Sequence, residues 1–126
     1  MTVAPLRLLA ADDDPTAGLL LKAALVSGGF ALTLVDNGSD ALRAFEQADF
    51  DIALLDVEMP GLDGFEVCSA IRQTRGVDFP VVLVTGRCDH EFFERAAQLS
   101  ASYIAKPVNW TSLGGMLHSL VASKAR

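Results

Sequence analysis

Leu6-Arg7-Leu8-Leu9-Ala10-Ala11-Asp12-Asp13-Asp14-Pro15 is the stretch on which the reading of this chain turns. Its first six residues form an apolar run of strand length, and three aspartates follow without a break. A strongly apolar run without alternation is what a strand covered on both faces shows. Asp14-Pro15 then has the form of a helix start, with an acid at the N-cap. Proline sits at the first helical position, where its missing N–H costs nothing. A buried strand, a polar turn and a helix therefore succeed one another within a few residues.

The same order repeats outward from there. Further apolar runs lie at Phe30–Val35, Ile52–Leu55, Val81–Val84 and Tyr103–Ala105. Gly28-Gly29 stops the first helix. Ser39 is expected to cap the second, with Leu42 and Phe45 on its inner face. Asp63 opens a third, in which Phe65, Cys68 and Ile71 to Arg72 follow helical spacing. A fourth runs from about Asp89 to Leu99. A fifth starts near Asn109 and carries Leu113, Met116, Leu117, Leu120 and Val121 on one stripe. The polar, basic tail Ser123–Arg126 either frays or continues a helix. Strand–helix alternation of this kind predicts an α/β fold of five βα units, with parallel strands, right-handed crossovers and helices on both faces.

Size and charge set bounds on function. The chain has 126 residues, 51% of them hydrophobic and 21% charged, which suits one domain and leaves no room for a second catalytic one. No apolar run reaches the ~18–20 residues needed to span a bilayer, and the N-terminus lacks a signal-peptide layout. Ten basic against sixteen acidic residues give a net charge of −6, which argues against a nucleic-acid surface. Cys68 and Cys88 fit neither a metal spacing nor a disulfide framework, so the expected compartment is the reducing cytoplasm.

In an open parallel sheet, ligands bind beyond the carboxyl ends of the strands, where strand order reverses. Asp12 and Asp13 follow the first strand, Asp56 closes the third, Thr85 the fourth and Lys106 the fifth. Singly each has an ordinary explanation: a loop acid, a β-branched strand residue, a surface amine. Jointly they converge on one sheet edge in front of apolar strands. Clustered carboxylates repel one another unless a cation is present. Mg²⁺ prefers one or two carboxylates, several waters and a phosphate oxygen, so the acids form a candidate Mg²⁺ site with room for a phosphoryl group. Asp56 can then attack phosphorus in line, Lys106 supply a mobile point charge, and Thr85 donate a hydroxyl.

These residues resemble the receiver domain of two-component response regulators over essentially the whole length. The resemblance is carried by residues 8–15, by Asp56-Val57-Glu58-Met59-Pro60-Gly61-Leu62-Asp63-Gly64 with the two leucines before it, by Val84-Thr85-Gly86 and by Ile104-Ala105-Lys106-Pro107. It implies a flavodoxin-like (βα)5 doubly wound sheet of order 2-1-3-4-5, as in CheY-like proteins. It also implies Asp56 as the acceptor of a phosphoryl group from a histidine kinase or phosphotransfer protein. Mg²⁺ would be held by Asp12, Asp13 and Asp56 together with the backbone carbonyl of Glu58. Thr85 and Tyr103 would be the switch pair, with a cis Lys106-Pro107 bond. The face made by the fourth helix, fifth strand and fifth helix would report the state to a partner or to a second copy in a homodimer. On this reading residues 1–126 are a single receiver domain, stand-alone or excised, that switches rather than acts as an enzyme.

Several positions depart from the family's pattern. Gly86 stands where alanine is commonest, and the missing methyl is expected to open the rim of the pocket to small phosphodonors. Leu99-Ser100-Ala101-Ser102 lacks the usual glycine. Glu58 and Arg87 flank the phosphoryl position and are expected to pair across it. Cys68 is expected under its helix, Cys88 in a loop, and His90 and His118 on the surface. Phe92 and Phe93 are adjacent on one helix, so one of them is expected to contribute to an exposed apolar patch. Thr85-Gly86 and Lys106-Pro107-Val108-Asn109-Trp110, followed by Leu113-Gly114, are similar to receivers that precede cyclic-di-GMP enzymes, which suggests such an output domain. Two rival readings are a docking module that has abandoned phosphorylation and a Mg²⁺-dependent phosphohydrolase using an aspartyl phosphate. The intact set of five polar residues weighs against the first. The missing cap domain and the place of Asp56 on the third strand weigh against the second.

Overall fold

Leucine, valine and alanine runs form the strands, and each turn at their carboxyl ends opens a helix. The computed structural model describes residues 4–124, apart from the side chain of Lys124. Its elements are β1 (Leu6–Ala11), α1 (Pro15–Leu25), a 3-10 turn (Val26–Gly28), β2 (Phe30–Val35), α2 (Gly38–Gln47), β3 (Ile52–Asp56), α3 (Gly64–Arg75), β4 (Val81–Thr85), α4 (His90–Gln98), β5 (Ser102–Ala105) and α5 (Trp110–Lys124). All neighbouring strands are parallel, in the order β2-β1-β3-β4-β5. This is the flavodoxin-like arrangement expected.

Successive side chains along a strand point to opposite faces, so each strand supplies two cores. Leu9, Ala11, Ala53, Leu55, Val81 and Leu83 face a cluster with Phe65, Ile71 and Phe92 of α3 and α4. Leu8, Ala10, Ile52, Leu54, Val82 and Val84 face Leu21, Leu25, Leu113 and Leu117 of α1 and α5. The run Ile52–Val57 is buried throughout, as a central parallel strand requires.

Helix starts follow the local chemistry. Asp14 caps α1 by accepting Thr16 N–H at 2.9 Å. Asp63 caps α3 in a reciprocal capping box with Glu66. Asp89 caps α4 and Asn109 takes the first amides of α5. The second helix corrects the sequence reading, because its cap is Asn37 and not Ser39. Asn37 is extended, accepts Asp40 N–H at 2.8 Å and leaves Ser39 exposed inside the helix. The earlier start is set by packing: a Cβ at Gly38 would lie 2.2 Å from the Leu62 carbonyl oxygen. Only glycine permits α2 to begin this close to the β3–α3 loop.

The first helix ends at Leu25, and after the 3-10 turn Gly29 reverses the chain at φ +85°. Before β5, Ser100 takes φ +53°. That left-handed backbone is strained for a non-glycine residue. Bonds from Ser100 N–H to Ala97 O and from Ala101 N–H to Ala96 O offset the strain. Arg72 adds four more, to the carbonyls of Gly76, Phe79, Leu99 and Ser100. Of the two courses open to the tail, α5 continues as far as Lys124; Ala125 and Arg126 lie outside the described residues. No helix among the described residues is long and apolar enough to cross a membrane.

Candidate functional site

Strand order reverses between β1 and β3, so their carboxyl ends lie side by side. The register pairs Ala11 with Leu55, which sets Asp12 beside Asp56 at the next step. Asp56 pairs with Val84 and Thr85 with Ala105, which carries the row on to Lys106. Thus the five polar residues expected at the sheet edge are brought there by strand register alone. Asp56 and Thr85 prove to be the last residues of their strands and are almost wholly buried, at 3% and 0% exposure. Asp12 is half-buried and Asp13 exposed.

Oxygen atoms of Asp12, Asp13 and Asp56 lie within 4.8 Å of one another. A cluster of hard, anionic oxygen donors fits a hard divalent cation. Asp12 is oriented by accepting Asp14 N–H at 2.9 Å. On Asp56, Oδ1 accepts both Lys106 Nζ and Glu58 N–H at 3.2 Å, while Oδ2 takes neither. Gly64 is needed behind it. A Cβ there would lie 2.6 Å from the Asp56 carbonyl oxygen, and Gly64 N–H donates to Val57 O at 3.0 Å. The first turn of α3 thereby packs directly on the backbone that carries the acid.

Burial pushes the Asp56 carboxyl above its ordinary value. The Glu58 amide works against that shift, the Asp12 charge adds to it, and Lys106 moderates it. For Lys106, partial burial opposes the charged form, but the bond to Asp56 and the fields of Asp56, Asp12 and Glu58 outweigh it. The ammonium is therefore held above its usual pKa.

Next to this edge lies a cavity of about 220 Å³ between α1 and α5. Asp12, Asp56 and Lys106 stand at it, and Leu20, Leu21 and Trp110 are among its apolar lining residues. In the sequence Trp110 was legible only as part of a family likeness. The Lys106-Pro107 bond is cis, as expected; Trp110 is the first residue of α5 and lines this cavity.

One expectation about the rim is corrected. Arg87 does not pair with Glu58: its guanidinium is bidentate on Asp89, at 2.9 and 3.0 Å. Asp89 sits two residues away, so the local pair wins over one that must bridge the site. This bond, aided by Phe92 N–H, lowers the Asp89 carboxyl to about 2. A Cβ built at Gly86 would have no atom within 4 Å, so packing does not require glycine there.

The remaining expectations find their places. Tyr103 is 49% exposed and Phe93 37%, with their rings 5.1 Å apart, while Phe92 is buried beneath them. Cys68 is buried, which raises its thiol pKa against the opposing field of Arg72, and Cys88 is exposed. His90 is exposed beside Glu94; His118 lies against Phe30 with Nε2 2.8 Å from Gly28 O.

Known proteins share this fold. The family model for the response regulator receiver domain matches residues 8–118. The chain is 36% identical over 121 residues to the transcriptional regulatory protein TcrA of Mycobacterium tuberculosis, covering 94% of this chain and 47% of that protein. It spans about half the length of the curated transcriptional regulators it matches. A CheY-like response regulator receiver domain protein from Methanospirillum hungatei superposes at a TM-score of 0.89, covering 96% of this chain and 97% of that one; at 24% identity the likeness is one of fold. The receiver domain of a sensor histidine kinase from Pseudomonas aeruginosa was solved with a magnesium ion coordinated in its active-site cleft. It superposes at 0.83 with 29% identity, covering 94% of this chain and 98% of that one. With the family model matched along most of its length, the acidic edge and the 2-1-3-4-5 sheet have one home: the chain belongs to the response regulator receiver domain family.

Proposed function

We propose that residues 1–126 form one receiver domain whose Asp56 accepts a phosphoryl group from a histidine kinase or phosphotransfer protein. The observation that carries this reading is the buried Asp56 carboxylate, hydrogen-bonded to Lys106 and grouped with Asp12 and Asp13. In the transfer, an Asp56 oxygen forms a bond to phosphorus as the bond to the donor nitrogen breaks, and the donor imidazole keeps that electron pair. Lys106 and Glu58 N–H hold the carboxylate in place, and Lys106 balances charge on the incoming oxygens. The buried Thr85 hydroxyl offers a donor toward the same oxygens.

Asp12, Asp13 and Asp56, with the Glu58 carbonyl, would hold Mg²⁺. When bound, that ion neutralises the crowded acids and the charge of the phosphoryl group. Support comes from the donor set itself and from the magnesium-holding Pseudomonas relative. Phosphorylation would then bias Thr85 and Tyr103 and alter the α4–β5–α5 face, read by an output domain, a partner or a second copy. The matched relatives named as transcriptional regulators carry about as much chain again, which favours an attached output. A cyclic-di-GMP enzyme as that output rests on residues 85–86, 106–110 and 113–114. A cytoplasmic place suits such a relay.

The decisive measurement is intact mass after incubation with acetyl phosphate and Mg²⁺. Wild type should gain roughly 80 Da, the mass of a phosphoryl group, and Asp56→Ala should not. No adduct on wild type would instead support the docking-module reading.

A further inference from the structure

The cavity of about 220 Å³ between α1 and α5 is built of two unlike parts. One is apolar: the buried Leu21 and Leu113 with the half-buried Trp110 ring. Leu20, on the same wall, is 41% exposed, so apolar surface is left uncovered where α1 and α5 meet. The other part sets Asp12, Asp14 and Asp56 against the single ammonium of Lys106. Asp14 caps α1 and its own N–H donates to Asp12 Oδ1, while Lys106 donates to Asp56 Oδ1. Among the described residues no hydrogen bond reaches the second carboxylate oxygen of Asp12 or of Asp56, although Asp56 is only 3% exposed.

The open acceptors call for a cationic donor, and three carboxylates outweigh one ammonium, so the local charge favours a cation despite Lys106. An inorganic ion would satisfy those oxygens and leave the apolar wall bare. An organic cation satisfies both. The space is smaller than the ~300–1,000 Å³ of pockets for drug-sized ligands, which suits a single ring on a short arm. Carboxylates hold an ammonium through charge-assisted hydrogen bonds, and an aromatic ring packs on indole and leucine side chains. We propose that this cavity binds a small arylalkylamine, with its ammonium on the open oxygens of Asp12 and Asp56 and its ring against Trp110, Leu20 and Leu113. Such a ligand takes the acids that Mg²⁺ needs, so amine and ion exclude each other. The proposal rests on the reading of the acidic edge as a cation site, and not on phosphoryl transfer to Asp56.

Trp110 is the only tryptophan of the chain, so its indole N–H resonance is a specific reporter on this cavity. The probe is 2-phenylethylamine, titrated into the full chain without Mg²⁺, and it should shift that resonance saturably. 2-Phenylethanol, which lacks the charge, should bind about tenfold more weakly, as the loss of a charge-assisted hydrogen bond predicts. Added Mg²⁺ should weaken the amine in step with the ion's own occupancy. Leu20→Asn, at an exposed position, should weaken the amine about threefold through lost apolar contact. Ala17→Leu should abolish binding by filling the cavity from α1. Both variants should keep wild-type Mg²⁺ affinity by calorimetry; if Ala17→Leu loses it, Leu20→Asn decides alone. Equal binding of alcohol and amine overturns the proposal, and so does amine binding indifferent to Mg²⁺. A Trp110 resonance that stays still in a chain that binds Mg²⁺ also overturns it, and leaves the acceptor reading of Asp56 intact. Amine binding that competes with Mg²⁺, in a chain that gains no phosphoryl group from acetyl phosphate, upholds this proposal while the acceptor reading fails.

Discussion

Asp56 shows at the scale of one residue what the fold does to chemistry. Nothing in the letters 54–58 says that this acid is buried or that Lys106, fifty positions away, donates to it. Its raised carboxyl pKa has a direct consequence for metal binding, since the cation needs the ionised form. As pH falls through that raised value the carboxylate takes a proton, so Mg²⁺ affinity should drop at a higher pH than an ordinary aspartate would require. Calorimetric Mg²⁺ titrations between pH 4 and 8 (a range that lies above the ~3.9 of a free aspartate) check this. Affinity that stays flat down to pH 4 contradicts it. The stability sign runs the other way. A carboxyl with a raised folded pKa penalises the folded state above that pKa, and the penalty vanishes below the unfolded value. Asp56→Asn should therefore raise the metal-free melting temperature at neutral pH, with the gap to wild type closing as pH approaches 4.

At the scale of elements, caps and close approaches decide where helices begin and what they hold. Asn37→Ala should cost about 1 kcal/mol in urea denaturation, whereas Ser39→Ala should stay within about 0.5 kcal/mol, because Asn37 makes the capping bond. Gly64→Ala forces a methyl against the Asp56 backbone and should cost about 1–3 kcal/mol, with a loss of Mg²⁺ affinity that a remote packing defect would not cause. Arg72 is the corresponding device at the opposite end of α3. Its four carbonyl bonds tie the α3–β4 and α4–β5 connections together and steady the strained Ser100. Arg72→Ala should destabilise by about 1–3 kcal/mol, read from the same denaturation curves.

For the whole molecule, the two clusters on either side of the sheet make a rigid frame, and the polar edge and the α4–β5–α5 face sit outside it. Phe93 and Tyr103 leave aromatic surface on that face, with Phe92 joining it to the core. Adding beryllofluoride and Mg²⁺ should shift amide resonances at Thr85–Phe93 and Tyr103 as well as at Asp56. Shifts confined to the loops around Asp56 would mean that the face does not respond.

Period and punctuation alone determined the five strands, the five helices and the sheet edge at which to look. Apolar runs and capping acids are local signals, and three of the strand runs needed an extension by only one residue, at Asp56, Thr85 and Ser102. The places of Asp12, Asp13, Asp56, Thr85 and Lys106 at the sheet edge were legible because each ends or follows a run. Three matters had to wait for tertiary structure. The cap of α2 moved to Asn37 because Leu62 leaves room only for Gly38. Arg87 chose Asp89 over Glu58, since the path of the loop, and not residue type, sets which acid lies nearer. Arg72 became a clamp because the ends of α3 and α4 meet across the chain. Each of these depends on distances between segments remote in sequence or on the course of a backbone loop, and neither leaves a mark in residue order.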